Sequence, residues 1–429
     1  MSQHRFTPWI LGACALFLAV LALPFGGARA ENEEPAVVIA AQGSEEAGEG
    51  AAPPAAAAEP AAPQLELGPI RLDEDSGRFV APLGAGQARL TLDPTLQKKL
   101  NRLLSDYRVP WAATVLLEPR TGRVLAMAEH SQKEKGASGI ALRAIGPAAS
   151  IFKIITASAL LQRGVGPEET VCYHGGKHRI AKRNLADDPR RDRRCLTLSA
   201  AMGHSANVVF AKLADRGLTP ELLRAEADRW LFNGAIPFAR PVEISTAGIP
   251  EDPFALATTA AGFGEVRLSA LHGALIAAVV ANGGVLVAPE LLEAVQGVPF
   301  PVRPDARRVV EQPVAEALAQ MMRTTTTEGT ARKIFRRDRW SRRSPLREVQ
   351  VAGKTGSLSE KSPYRDYSWF VGYAPADEPQ VVVATVVVNE RLWRVKAPFV
   401  AHHALEAYFA APPPPGMVTA AARGERSTR

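Results

Sequence analysis

Strand-like segments gather in two parts of this chain, one early and one late, and a long helix-type stretch lies between them. Apolar runs bounded by turn residues predict strands near 88–93, 112–118 and 123–128, then near 284–288, 349–355, 366–374 and 380–389. Helical patterns fall near 94–106, 150–163, 197–203, 206–215, 220–231, 268–282, 313–327 and 399–410. The last three strands and the closing helix follow one another across short turns, which suits an antiparallel sheet. The helix-only middle predicts a helical subdomain inserted between early and late strands, an α+β organisation.

Three short strings stand on this frame. Ser150-Ile151-Phe152-Lys153 opens an apolar run that ends at Arg163-Gly164, with Pro147 before it. That bracketing predicts a helix with Ser150 at its N-terminus, where free N–H groups favour developing negative charge. Residues three apart share a helix face, so the Lys153 amine should lie beside the Ser150 hydroxyl. A lysine among Ile151, Phe152, Ile154 and Ile155 loses proton affinity and can act as a base for a serine nucleophile. A capping serine followed by an ordinary helix lysine is the plainer alternative for this string alone.

The second string, Ser205-Ala206-Asn207, sits between two helical flanks. Ser205 would pass a proton between Lys153 and a leaving group. The Asn207 amide would hold Lys153 and a substrate backbone group. An N-cap serine with a turn asparagine explains the string equally well by itself. Lys354-Thr355-Gly356, followed by Ser357, closes an alternating run, and Gly356 permits close approach of a ligand backbone. Lys354 and Thr355 would bind a substrate carboxylate or carbonyl, and the backbone N–H groups of Ser150 and Ser357 would form an oxyanion hole. Gly353-Lys354-Thr355 also looks like the end of a phosphate loop. That motif needs glycine where Glu348 stands and a helix directly afterwards, whereas a strand-like Tyr367–Tyr373 follows.

Taken in order, the three strings match the serine-x-x-lysine, serine-x-asparagine and lysine-threonine-glycine elements of penicillin-binding proteins and serine β-lactamases. The chain resembles the penicillin-binding transpeptidase domain. Leu90–Gln97, Ala113–Met127, the stretch from Gly262 to Gly284, and Met321-Met322-Arg323 with Gly329-Thr330-Ala331 extend the likeness over roughly residues 86 to 411. Ile151 and Ser357 stand where the family commonly has threonine, and neither change removes a reacting group.

The resemblance implies a five-stranded antiparallel sheet flanked by helices, plus an all-helical lobe, with the site between them. It also implies a peptidoglycan D,D-transpeptidase that is acylated by β-lactams at Ser150, with stem peptides as substrates, glycan polymerases as partners, and no cofactor or metal. D,D-carboxypeptidase and lysine-dependent β-lactamase activity are the enzymatic alternatives, and an inert wall-binding scaffold is the non-enzymatic one. Leu231-Phe232-Asn233 does not fit the glutamate-x-x-leucine-asparagine of lactamases with a glutamate-activated water.

Composition points to export. A mostly apolar run from Phe6 to Phe25 follows Arg5, and Ala28-Arg29-Ala30 has the small-x-small pattern of signal-peptidase cleavage. Residues 1–30 are therefore expected to be a signal peptide or a membrane anchor, placing the rest in the periplasm or on the extracytoplasmic face of the inner membrane. Residues 31–85 are expected to be an Ala/Pro/Glu-rich linker, 86–411 the transpeptidase-like domain and 412–429 a disordered tail. The length leaves no room for a glycan-polymerising domain, and any N-terminal non-catalytic domain would be reduced to residues 65 to 88.

The formal net charge of +7 is concentrated in Arg190–Arg194 and Arg332–Arg339. An exported protein rarely meets nucleic acid, so we read these clusters as attracted to anionic lipid or acidic wall polymer, or as solvated loops. Cys172 and Cys195 flank the first cluster and could close a disulfide loop, worth on the order of 3 kcal/mol in the chain-entropy model. No His/Cys cluster shows a metal-ligand spacing, and His402 and His403 read as surface residues of the last helix and not as ligands.

Overall fold

The computed structural model describes residues 67–176, 179–296, 298–299, 306–336 and 343–410. The expected export segment 1–30, the linker up to residue 66 and the tail 412–429 lie outside the described residues.

The segment 71–83, which composition assigned to the linker, needs correction. It forms β1 (Arg71–Asp73) and β2 (Arg78–Leu83), which pair antiparallel with each other and with β3 (Gly86–Leu90). Asp73, Ser76 and Gly77 make the connecting turn: the Ser76 backbone N–H and hydroxyl both donate to the Asp73 carboxylate, and Gly77 takes φ 61°. Val80, Ala81, Ala88 and Leu90 are buried, so the hairpin has an apolar face to cover.

Helix α1 (Pro94–Asp106) starts at Asp93, whose carboxylate accepts the Leu96 N–H at 2.8 Å, and it buries Leu96, Leu100 and Leu104. Strands β4 (Trp111–Leu117) and β5 (Val124–Ser131) follow as an antiparallel pair. The middle of the chain holds β6 (Gly146–Pro147), α2 (Lys153–Gln162), and the hairpin β7 (Thr170–Tyr173) and β8 (Arg194–Thr197). Cys172 faces Cys195 across that hairpin and the two form a disulfide. Helices α3 (Leu198–His204), α4 (Asn207–Gly217), α5 (Pro220–Arg229) and α6 (Pro253–Ala260) complete the lobe. Helix α6 is absent from the sequence pattern because its short run, Pro253–Ala260, has no polar face to mark a period.

Strand β9 (Arg267–Leu268) pairs with β6 and leads into α7 (Ala270–Ala281), which is apolar all round and buried. Four short strands follow: β10 (Val285–Val287), β11 (Leu292–Val295), β12 (Val298–Pro299) and β13 (Ala306–Arg308). β11 and β12 extend the β1–β3 sheet, and β10 pairs with β13. Then come α8 (Gln312–Thr327), α9 (Arg332–Phe335), β14 (Ala352–Lys361), β15 (Tyr364–Ala374), β16 (Val381–Asn389) and α10 (Ala397–Phe409).

Early and late strands join in one five-stranded antiparallel sheet in the order β14-β15-β16-β4-β5. Both faces are covered, which explains the near-continuous apolar run of β16. Val115, Val371, Val382, Ala384 and Val386 face the core shared with α7 and the lobe. Ala112, Leu116, Phe370, Val383 and Val387 face the second core, shared with α1 and α10. β14 is the edge strand, and both α8 and the turn before α2 pack against it. The β7–β8 hairpin exposes Arg190, Arg191, Arg193 and Arg194, whereas residues 337–339 of the second basic cluster lie outside the described residues.

Candidate active site

Ser150 does not sit in the α-helix itself. It occupies the 3-10 turn Ala149–Ile151 that precedes α2. Ala149 holds a left-handed φ of 49°, which turns the chain sharply ahead of the serine. Gly262, after α6, lies directly beneath. A Cβ there would meet the Ala149 carbonyl oxygen at 2.5 Å and the Ser150 Cα at 3.0 Å. The turn is pinned on its other side by Trp369 of β15, whose indole N–H donates to the Pro147 carbonyl at 2.9 Å.

The Lys153 Nζ lies 2.8 Å from Ser150 Oγ, 2.8 Å from Asn207 Oδ1 and 2.5 Å from the Ala261 carbonyl oxygen. Its side chain is fully buried, with the Phe210 ring 5.7 Å from the amine. Every oxygen it touches is neutral, and among the described residues no carboxylate pairs with it. Burial first, and then the nearby Lys354 charge, push the Lys153 amine well below its ordinary value. The serine hydroxyl therefore meets an amine biased toward its neutral, proton-accepting form.

Across the groove, Lys354 of β14 is also fully buried and donates to Ser205 Oγ at 3.0 Å and to the Thr355 carbonyl at 2.8 Å. Burial lowers its amine to about 7. Ser205 terminates α3 in a left-handed conformation, φ 55°, and this turns the chain so that Asn207 can begin α4 two residues later. The sequence pattern pairs Ser205 with Lys153; in the structure its hydroxyl accepts a hydrogen bond from Lys354. Gly356 closes the gap between the strand and the Ser150 turn: a Cβ there would meet Ile151 Cγ1 at 3.2 Å and the Ala148 carbonyl oxygen at 3.3 Å. Ser357 is exposed on the same edge strand.

Two contributors escaped the sequence reading. One is the Ala261-Gly262 pair, which acts through a carbonyl and an absent side chain, so residue type carries little signal. The other is Thr330. Its N–H donates to the Gly203 carbonyl at 3.0 Å, and its hydroxyl lies 2.6 Å from the Thr355 hydroxyl. Thr330 thus straps the end of α3, just before Ser205, to the lysine-bearing strand. His402 is also corrected: it is buried beneath α10, 8% exposed, not a surface residue.

Ser150, Lys153, Ser205, Asn207, Lys354, Thr355 and Gly356 are thus gathered at one groove between a helical lobe and the edge of an antiparallel sheet. Fold and groove together define the α+β class shared by penicillin-binding proteins and serine β-lactamases. Comparison with known proteins narrows this. The family profile described as penicillin binding protein transpeptidase domain matches residues 112–402. The chain belongs to the penicillin-binding protein transpeptidase domain family.

Among curated relatives, the peptidoglycan D,D-transpeptidase PbpA of Mycobacterium tuberculosis is 29% identical over 317 residues, 65% of this chain and 62% of that protein. The PbpA of Mycolicibacterium smegmatis is 27% identical over 315 residues, 64% of this chain and 61% of that protein. The chain therefore spans a little over three-fifths of the length of these relatives. Among solved structures, the D,D-transpeptidase domain of a peptidoglycan glycosyltransferase from Eggerthella lenta superposes with TM-score 0.63 at 22% identity, covering 80% of this chain and 94% of that one. Penicillin-binding protein A from M. tuberculosis, as an imipenem acyl-enzyme complex, gives TM-score 0.59 at 24% identity, covering 75% and 79%.

Proposed function

We propose that this protein is a peptidoglycan D,D-transpeptidase that cross-links stem peptides through a Ser150 acyl-enzyme and is acylated by β-lactams, acting outside the cytoplasm. The observation that carries the reading is the contact between Ser150 and a buried lysine whose partners among the described residues are all neutral. Lys153 takes the Ser150 proton as Oγ attacks the penultimate D-alanine carbonyl of a stem peptide. The resulting oxyanion is received by the backbone N–H groups of Ser150 and Ser357. As the tetrahedral intermediate collapses, the C–N bond breaks and Ser205 gives its proton to the departing D-alanine amine. Lys354, donating to Ser205 Oγ, replenishes that proton, and with Thr355 it holds the D-alanine carboxylate. An amine from a neighbouring stem then attacks the acyl-enzyme, its proton passing through Ser205 back to Lys354; the C–O bond to Ser150 breaks and Lys153 returns its proton to Ser150 Oγ. Strand β14, at the sheet edge, offers backbone groups along which an extended stem can lie.

The relatives' names as D,D-transpeptidases support the substrate class, and the N-terminal apolar run supports an extracytoplasmic place of work with a membrane tether or cleaved leader. No described helix is long and apolar enough to cross a membrane. The test is intact-mass spectrometry of the full chain after benzylpenicillin, followed over time. One stable adduct that is absent from Ser150→Ala supports the reading. Turnover within seconds would make it a lactamase, and no adduct would leave an inert scaffold. Cross-linked dimers formed from pentapeptide-bearing peptidoglycan, as opposed to D-alanine release alone, separate transpeptidation from carboxypeptidation.

A further inference from the structure

Helix α10 covers the sheet face turned away from the helical lobe, and it carries a cluster that the acyl-transfer chemistry does not use. His402, His403 and Glu406 are spaced so that Glu406 is one turn beyond both histidines on the same side of the helix. Their nitrogen and carboxylate ligand atoms all lie within 4.8 Å of one another. Glu406 Oε2 stands 2.9 Å from His403 Nδ1 and 3.5 Å from His402 Nδ1. Ligands about 2.1 Å from a tetrahedral zinc ion are separated from each other by about 3.4 Å, so these spacings suit a shared cation.

The surroundings are those of a held ligand set. The Ser344 hydroxyl donates to the other carboxylate oxygen, Glu406 Oε1, at 3.0 Å, which fixes the carboxylate plane. Ring contacts set the imidazoles: Phe335 lies 5.7 Å from His402 and Phe399 lies 4.3 Å from His403. A hollow of about 310 Å³ opens beside His403 and Glu406, bounded also by Lys99, Leu103 and Pro345. It gives a fourth ligand, water, a place to enter. The Lys99 amine borders the same hollow and works against a bound cation, so the affinity falls below that of a closed structural site.

We propose that His402, His403 and Glu406 form a divalent transition-metal site of the zinc type, with water as the fourth ligand. Two imidazoles and one carboxylate with an open position are a borderline-soft set that suits zinc over calcium or magnesium. Bound metal would replace the direct His403–Glu406 contact and tie the closing helix to the Ser344 segment. The proposal is independent of the activity at Ser150.

Calorimetric titration of the full chain with ZnCl2 tests it, together with thermal unfolding and X-ray absorption at the zinc edge. The expected result is one ion per chain. At a hundredfold excess over the dissociation constant the unfolding midpoint should rise by about 4 °C. The absorption spectrum should show two imidazole nitrogens at about 2.0–2.1 Å. Both His403→Ala and the near-isosteric Glu406→Gln should lose binding and the midpoint rise, while their acylation by benzylpenicillin stays that of the parent and reports that they fold. No binding at millimolar zinc would overturn the proposal. So would binding that survives in both variants, since the ion would then sit elsewhere, and His403 and Glu406 would be an ion pair only.

Discussion

The helical lobe buries two lysines completely, Lys153 on α2 and Lys212 on α4, and treats them in opposite ways. Lys212 donates to Asp192 and Asp187, each at 2.9 Å, and to the Cys172 carbonyl at 2.9 Å. Burial works to raise the Asp192 carboxyl. The Asp188 N–H, Lys212 and His174 overcome that and hold it well below the ordinary carboxylate range. Lys153 has no such partner among the described residues and meets a hydroxyl, an amide oxygen and a carbonyl. Lys212, gripped by two carboxylates and the Cys172 carbonyl, anchors the disulfide-bonded hairpin; Lys153, buried without a described carboxylate, is pushed toward the neutral form. What sets the two amines apart is therefore not burial, which they share, but the carboxylates that the fold gives to Lys212 and keeps from Lys153 among the described residues.

The comparison breaks most visibly on removal of each amine. Lys153→Met should slow benzylpenicillin acylation by about a thousandfold or more. Its denaturation midpoint should stay the same or rise, since an apolar chain replaces a buried polar one. Lys212→Met should do the reverse. Taking the ammonium from Asp192, which keeps the Asp188 N–H and His174, should cost about 3 kcal/mol in urea unfolding, with the acylation rate of the folded fraction unchanged. Equal loss of acylation in the two variants would dissolve the distinction.

A subtler effect comes from Lys354, lowered to about 7 against an ordinary 10.5. Between those two values the unfolded chain holds a proton that the folded chain lacks, so stability climbs as pH rises through this window and falls as pH drops toward 7. Urea unfolding at pH 7, 8 and 9 should show that slope, and Lys354→Met should reduce it by at most about 1.4 kcal/mol per pH unit. A slope that is the same in the variant would mean that Lys354 keeps its proton on folding.

The smallest expected effect belongs to Thr330. Thr330→Val keeps the volume and the backbone bond to Gly203 but loses the hydroxyl contact to Thr355. Losing one neutral hydrogen bond of about 1 kcal/mol should slow acylation by about fivefold, with little change in the unfolding midpoint. Rescue by Thr330→Ser would assign the loss to the hydroxyl.

Where function rests on side chains adjacent in sequence, it was legible. The spacing of Ser150 and Lys153 put them on one turn, and the alternation ahead of Lys354 put it on a strand. Where the candidate site rests on backbone, it was not: the Ala261 carbonyl and the missing Cβ of Gly262 hold the Lys153 amine and the Ser150 turn without any distinctive residue type. Which lysine Ser205 meets was likewise hidden, since it depends on how distant segments of the chain pack and not on either string. The β1–β2 hairpin was lost among alanines and prolines, although Phe79-Val80-Ala81 after Ser76-Gly77 carries a strand-after-turn signal. The burial of His402 depends on α9 and Phe335 reaching across to α10, a contact between segments far apart in the chain.

The pH dependence of the benzylpenicillin acylation rate, followed by intact mass on the wild-type chain, tests the neutral-amine account most directly. The account requires the rate to reach its plateau well below pH 10.5, the ordinary lysine value, with an acid limb that marks protonation of Lys153. A rate that keeps rising tenfold per pH unit up to pH 10 would show an amine with ordinary proton affinity, and would contradict it.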